Sequence, residues 1–156
     1  MIRYLVRRHS PLLNAIPDLR NLDKDDIGRL GENIAARYLY AHGGKVLYRN
    51  YRAPMGGEID IVLRHGKILA FVEVKTRTSD AFGRAADAVN FHKQELISRG
   101  AHSWLRLLGY PNIPWRCDIV EVYLKPETVP EINWLQSAFT ISDLHQPRPR
   151  QWTRRR

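Results

Sequence analysis

Glu58, Asp60, Glu73 and Lys75 stand inside GGEIDIVLRHGKILAFVEVKTR, residues 56–77, a stretch otherwise built of strand-formers. Apolar residues mostly alternate with others from Glu58 to Arg64 and again from Lys67 to Lys75, with His65-Gly66 between the runs, which is the signal of a β-hairpin. A two-residue turn at His65-Gly66 pairs Arg64 with Lys67, sets Asp60 opposite Phe71 and Glu58 opposite Glu73. Asp60 then lies diagonal to Glu73 at roughly 7–8 Å between Cα atoms. Strand alternation sends Glu58, Asp60, Glu73 and Lys75 from one face. Two carboxylates about 7 Å apart repel by roughly 2 kcal/mol at an effective dielectric near 20, so a cation belongs among them. Lys75 is one candidate. A divalent metal is the other, since carboxylate oxygens so placed can converge on Mg²⁺ at about 2.1 Å. The purely structural alternative is a wet, salt-bridged sheet face. Val62, Leu69 and Phe71 on that same face speak instead for a half-buried pocket.

Elements on either side must position these residues. Asp23 to Asp26 offer helix N-caps, and Ile27, Leu30, Ile34, Tyr38 and Ala41 follow as one apolar stripe that His42-Gly43-Gly44 ends. Glu32 lies at the border of that stripe. Lys45 to Arg52 reads as a strand. After the hairpin, Thr78 to Asp87 reads as a loop, and a helix is expected from near Asn90 with Ile97, Ala101, Trp104, Leu105 and Leu108 buried. Lys93, one turn before Ile97, leans toward the sheet, where a phosphate or the acidic cluster could meet it. Pro114 to Leu124 reads as another strand, in which Asp118 is expected to pair with an arginine and Cys117 to be a buried thiol. His92 and His102 share no helix face as zinc ligands would. There is no glycine-rich phosphate loop and no internal repeat.

The chain has 156 residues, the size of one domain with a real core. No apolar run approaches the twenty or so residues that cross a bilayer, and Arg7 and Arg8 interrupt the apolar start that a signal peptide would need. A cytoplasmic protein with no membrane partner is expected. The formal charge is +9. Residues 1–10 hold +3 and residues 144–156 hold +5, which leaves +1 for residues 11–143. Basic ends on a nearly neutral body suggest contact with phosphates, the bland alternative being plain solvation.

Gly31-Glu32, RNYR at Arg49–Arg52, GEID at Gly57–Asp60, FVEVKTR at Phe71–Arg77, Lys93, RCDIVEV at Arg116–Val122 and Ala138-Phe139 together resemble the bacterial YraN-like family. The motifs occur in order over roughly residues 26–140. That family is grouped with the PD-(D/E)XK nucleases, near archaeal Holliday-junction resolvases. The resemblance implies an α/β, restriction-endonuclease-like core, with a mixed central β-sheet flanked by helices. It also implies metal-dependent phosphodiester hydrolysis by Glu32, Asp60, Glu73 and Lys75. Asp60, Glu73 and the Val74 carbonyl would hold Mg²⁺ (or Mn²⁺), and Lys75 would orient water and offset phosphorane charge. The superfamily's proline-aspartate pair reads Ile59-Asp60 here. Expected nucleic-acid contacts are Arg77, Lys93, Arg148, Arg150, Arg154, Arg155 and Arg156. The partner is DNA, branched or otherwise structured DNA included, and a homodimer is left open. The alternatives are a non-catalytic nucleic-acid-binding protein that retains the nuclease fold and an interaction module. Residues 1–22 read as a basic extension, 23–142 as the nuclease-like domain and 143–156 as a basic disordered tail.

Cutting the chain after Ser142 tests the tail. Folding should be unchanged, because QPRPRQWTRRR has no apolar periodicity with which to join a core. If its five arginines neutralise phosphates, the slope of log affinity against log salt should shrink by at most about 4.5 on duplex DNA. An unchanged slope would assign the tail to something other than DNA.

Overall fold

The structure is a computed structural model and describes residues 4–5, 18–78, 89–126 and 128–140. Six strands form one sheet in the order β1-β6-β5-β4-β3-β2. They are β1 (Tyr4–Leu5), β2 (Gly44–Arg52), β3 (Glu58–His65), β4 (Ile68–Arg77), β5 (Trp115–Tyr123) and β6 (Glu131–Phe139). Only β4 and β5 run parallel; every other neighbouring pair is antiparallel. Helices α1 (Lys24–Ala41) and α2 (Phe91–Leu107) cover the two faces. The helix-flanked mixed α/β architecture expected from the sequence is therefore the one observed.

Side-chain alternation along β4 divides the core. Ala70, Val72 and Val74 pack with Ile34, Ala35, Tyr38 and Leu39 of α1. Leu69 and Phe71 pack with Ile97, Ala101 and Leu105 of α2. Both helices start on side-chain caps: Asp23 accepts from the Asp26 N–H at 2.7 Å, and Asn90 accepts from the Lys93 N–H at 2.9 Å. The expected stripes hold in their centres and fail at their ends. Ala41, the last residue of α1, and Leu108, just beyond the end of α2, are exposed.

The hairpin turn sits one residue later than the sequence reading placed it. His65 pairs with Ile68, Arg64 with Leu69 and Val62 with Phe71, so Gly66-Lys67 are the turn residues. Gly66 has φ +62°, and a glycine first in the turn suits a type II′ connection, whose twist matches the strands. Moving a turn by one residue shifts each opposed pair by two. The faces from Ile61 onward are therefore unchanged, whereas Ile59 breaks the alternation by joining Val62 and Phe71 on the α2 side; the same register carried past Ile61–Val72 would set Asp60 level with Glu73 instead of diagonal to it.

Two strands were not assigned from the sequence. One is β6, the partner of β5. The other is β1, which lies within the expected N-terminal extension and pairs with Ile132 and Glu131. The tail residues Arg148, Arg150, Arg154, Arg155 and Arg156, and most of the loop expected from Thr78 to Asp87, lie outside the described residues.

The turn between β2 and β3 is pressed onto α2. A Cβ on Gly57 would stand 2.5 Å from the Gly100 nitrogen, and one on Gly100 would stand 2.8 Å from Ile59. Gly57→Ala should lift the turn, cost about 1–3 kcal/mol and displace Glu58 and Asp60 behind it. Chemical denaturation checks the stability; a variant as stable as the parent would show that the two backbones do not need this approach.

Candidate active site

The ladder between β3 and β4 extends toward the site as far as Ile61 opposite Val72. Beyond it, the N–H of Val74 donates to Oδ2 of Asp60 at 2.7 Å, so a side chain continues the join between the strands. Asp60 is 8% exposed and Glu73 is 2% exposed. Glu73 follows Phe71 on the α2 face, and α2 supplies a lysine to meet it. Lys93 Nζ lies 3.2 Å from Glu73 Oε2, and Lys75 Nζ lies 2.8 Å from Glu73 Oε1.

Asp60 has its pKa pushed up to about 7. Burial is the main cause and the Glu73 charge the second; the Val74 N–H and Lys93 oppose them, and Glu32 adds a further push. Lys93 is pulled down by its own burial, but Glu73, Asp60 and Glu58 outweigh this and hold its pKa above the ordinary value.

The structure thus brings Asp60, Glu73, Lys75 and Lys93 together, with the Val74 backbone between them. Glu58 stands at the border, 3.9 Å from Lys93 and 3.8 Å from Arg52. Glu32 comes from α1 on the other face; it touches Arg49 at 4.0 Å and acts on Asp60 through its field. Arg77 ends β4 opposite Tyr123, four residues past Glu73.

Glu121 was not singled out from the sequence. It pairs in register with Lys75 and is 2% exposed, with Tyr123 and Asn133 donating to its Oε2 and with Oε1 unpartnered. Its place in the alternation of β5 is the signal that could have found it. Asp118 is a structural node: Arg116, the Trp134 indole and the Ser137 N–H all donate to it. Burial pushes the Cys117 thiol up to about 12, so it stays protonated and unreactive at neutral pH.

The donor chemistry fits a hard divalent cation. Asp60 and Glu73 would offer carboxylate oxygens from adjacent strands, and their repulsion is what such an ion would relieve. Among the described residues no three His, Cys, Asp or Glu side chains converge. Mg²⁺ characteristically takes one or two carboxylates and fills its remaining positions with water and phosphate oxygens.

Fold and site together define an α/β domain with a helix-flanked mixed sheet, in which paired acids and a lysine stand on adjacent central strands. A family model described as "Uncharacterised protein family UPF0102" matches residues 31–122. A UPF0102 protein of Caldanaerobacter subterraneus subsp. tengcongensis is 40% identical over 123 residues, 78% of this chain and 100% of that relative. One of Hahella chejuensis is 38% identical over 125 residues, 80% of this chain and 98% of the relative. The chain belongs to the UPF0102 family, the YraN-like family whose motifs it carries. Among solved structures it is similar to Pyrococcus furiosus SfsA in complex with Ca²⁺, at a TM-score of 0.32 and 14% identity over 73% of this chain and 64% of that one. A likeness at that score carries no argument about the site.

Asp60 provides a test by pH. Its folded pKa is raised, so its contribution to stability is present below the unfolded value near 3.8 and is lost as pH rises through about 7. Asp60→Asn should therefore stabilise the metal-free protein at pH 8 by roughly 1–4 kcal/mol and hardly at all at pH 4. Thermal melts in chelator at both pH values check this, and a variant that melts lower at pH 8 would make Asp60 a structural carboxylate.

Proposed function

We infer that this protein is a Mg²⁺-dependent DNA endonuclease that hydrolyses phosphodiester bonds, with branched or otherwise structured DNA within its range. The observation that carries the reading is the buried pair Asp60 and Glu73 with two lysines drawn onto it. Burying two carboxylates in an otherwise apolar sheet costs several kcal/mol per ion before pairing, and apolar residues of similar volume are often at least as stabilising. Retaining them is what chemistry demands and packing does not.

Asp60, Glu73 and the Val74 carbonyl would hold Mg²⁺ or Mn²⁺, which when bound lowers the pKa of water and polarises a phosphoryl oxygen. The chain's own groups do the rest. Lys75, on the same strand face as Glu73, orients the attacking water and stabilises negative charge developing on the phosphorane. Lys93 holds a second ammonium beside Glu73, where it draws a phosphate into a site that acids alone would repel. Glu32 and Glu58 sustain the negative field from the border, each moderated by its arginine. The Val74 N–H keeps the Asp60 carboxylate aimed inward.

Linear, flapped and four-way DNAs incubated with Mg²⁺, with Mn²⁺ and with chelator test the reading. Cleavage is expected only with metal, and a loss of at least about 10²-fold is expected in Asp60→Asn, Glu73→Gln and Lys75→Ala, each still folded by circular dichroism. Full activity in Asp60→Asn or in excess chelator would overturn the site. Metal-independent DNA binding without cleavage of any substrate would show a nucleic-acid-binding protein that keeps the nuclease fold.

A further inference from the structure

A groove of about 890 Å³ lies between the β2–β3 turn and the outer face of α2. One wall is Ala53 to Gly56, and the other carries Arg99, His102 and Arg106. Its near end adjoins the site, because Gly57 directly precedes Glu58 and Glu58 faces Lys93. From Lys93 to Arg106 the helix rises about 20 Å, so the groove leads away from the acids along α2.

Arg99 and Arg106 are seven residues apart and so share a helix face. Both are exposed and neither has an acidic partner among the described residues. About 10 Å of helix separates them, the rise over which one strand of B-DNA presents about three phosphates. Glu95 is the single acid among the lining residues. The opposite lip is apolar and open: Met55 is 85% exposed. Two unpaired guanidiniums facing an exposed apolar lip match a strand that offers phosphates on one side and sugars and bases on the other.

We propose that this groove is the track for the DNA strand leading from the scissile phosphate, with Arg99 and Arg106 on its phosphates. The assignment rests on the nuclease reading above. It names contacts that the sequence did not, since the arginines expected there lay in the tail and at the end of β4. The turn is fixed against Gly100, so the track is preformed and needs no closing motion. An acidic protein could present related charge but has no phosphodiester for the adjoining carboxylate-lysine cluster to act upon, and the occupant is DNA on the nuclease reading above.

The experiment compares full-length parent protein, Arg99→Gln/Arg106→Gln and Arg64→Gln/Lys67→Gln. The last pair removes two cations at the β3–β4 turn, at the far end of the hairpin. Binding to a fluorescein-labelled DNA duplex is followed by anisotropy in chelator across a salt series, with thermal melts as the folding control. The groove variant should melt with the parent, bind about tenfold or more weakly at low salt and lose up to about 1.8 from the slope of log affinity against log salt. The turn variant should keep the parent's slope and its metal-dependent cleavage. An unchanged slope in the groove variant, with the parent still binding and cleaving DNA, removes the track and leaves the nuclease reading standing. Equal losses in both variants would make the attraction diffuse and also remove it. A parent that neither binds nor cleaves DNA overturns both readings.

Discussion

Glu73 is a carboxylate with 2% of its surface in water, beside a second buried carboxylate, and much of the arrangement around it exists to make that tolerable. An isolated charge there would cost several kcal/mol. Lys75 reaches it from two residues along the same strand, which needs only strand alternation. Lys93 must come from another element, so its position depends on α2. The Asn90 cap binds the backbone N–H of Lys93 itself, while Ile97, Ala101 and Leu105 seat the following turns on the sheet. Loss of that packing would release one of the two cations paired with Glu73.

Strand order explains why the acids fall where they do. β4 lies between β3 and β5, so its first half is apolar on both faces, as the run from Leu69 to Val72 requires. Its second half passes into EVKTR toward the carboxyl end, beside the carboxyl end of the parallel β5. Open α/β sheets leave their ligand crevices at such ends. Glu73, Lys75 and Glu121 all lie in this half of the β4–β5 pair, while the expected turn residue His65 sits at the other end of the hairpin against Trp134.

Local signals were the legible ones. Asp23 announces a cap that forms as read, the helix expected from near Asn90 begins there, and alternation from Ile61 to Lys75 fixes which side chains share a face. Register was not legible to the residue, because His65-Gly66 and Gly66-Lys67 are both plausible two-residue turns. The choice falls to the backbone of Gly66 and to pairing along the whole ladder. β6 escaped notice because its sequence, EINWLQSAF, hides an irregularity: Ser137 takes φ +53° and gives its N–H to Asp118, and the register with β5 shifts between Cys117 and Ile119. That interruption is tertiary in origin. The same holds for Lys93, whose sequence context allowed a phosphate or an acid as its partner and whose neighbour in the fold is Glu73.

The charge balance of the site bears on how a phosphate could enter it. Asp60 and Glu73 are matched by Lys75 and Lys93, and Glu58 and Glu32 by Arg52 and Arg49, so the cluster presents little net negative charge to an approaching strand. Acids alone would turn DNA away; lysines alone would bind it without a place for a metal. With Asp60 poised near neutrality, a small change in its surroundings decides whether that balance tips positive or negative. A divalent ion in place of the proton would favour the charged carboxylate and raise the local positive charge together. On the proposed reading, the site therefore attracts its substrate most strongly when it is ready to cut it.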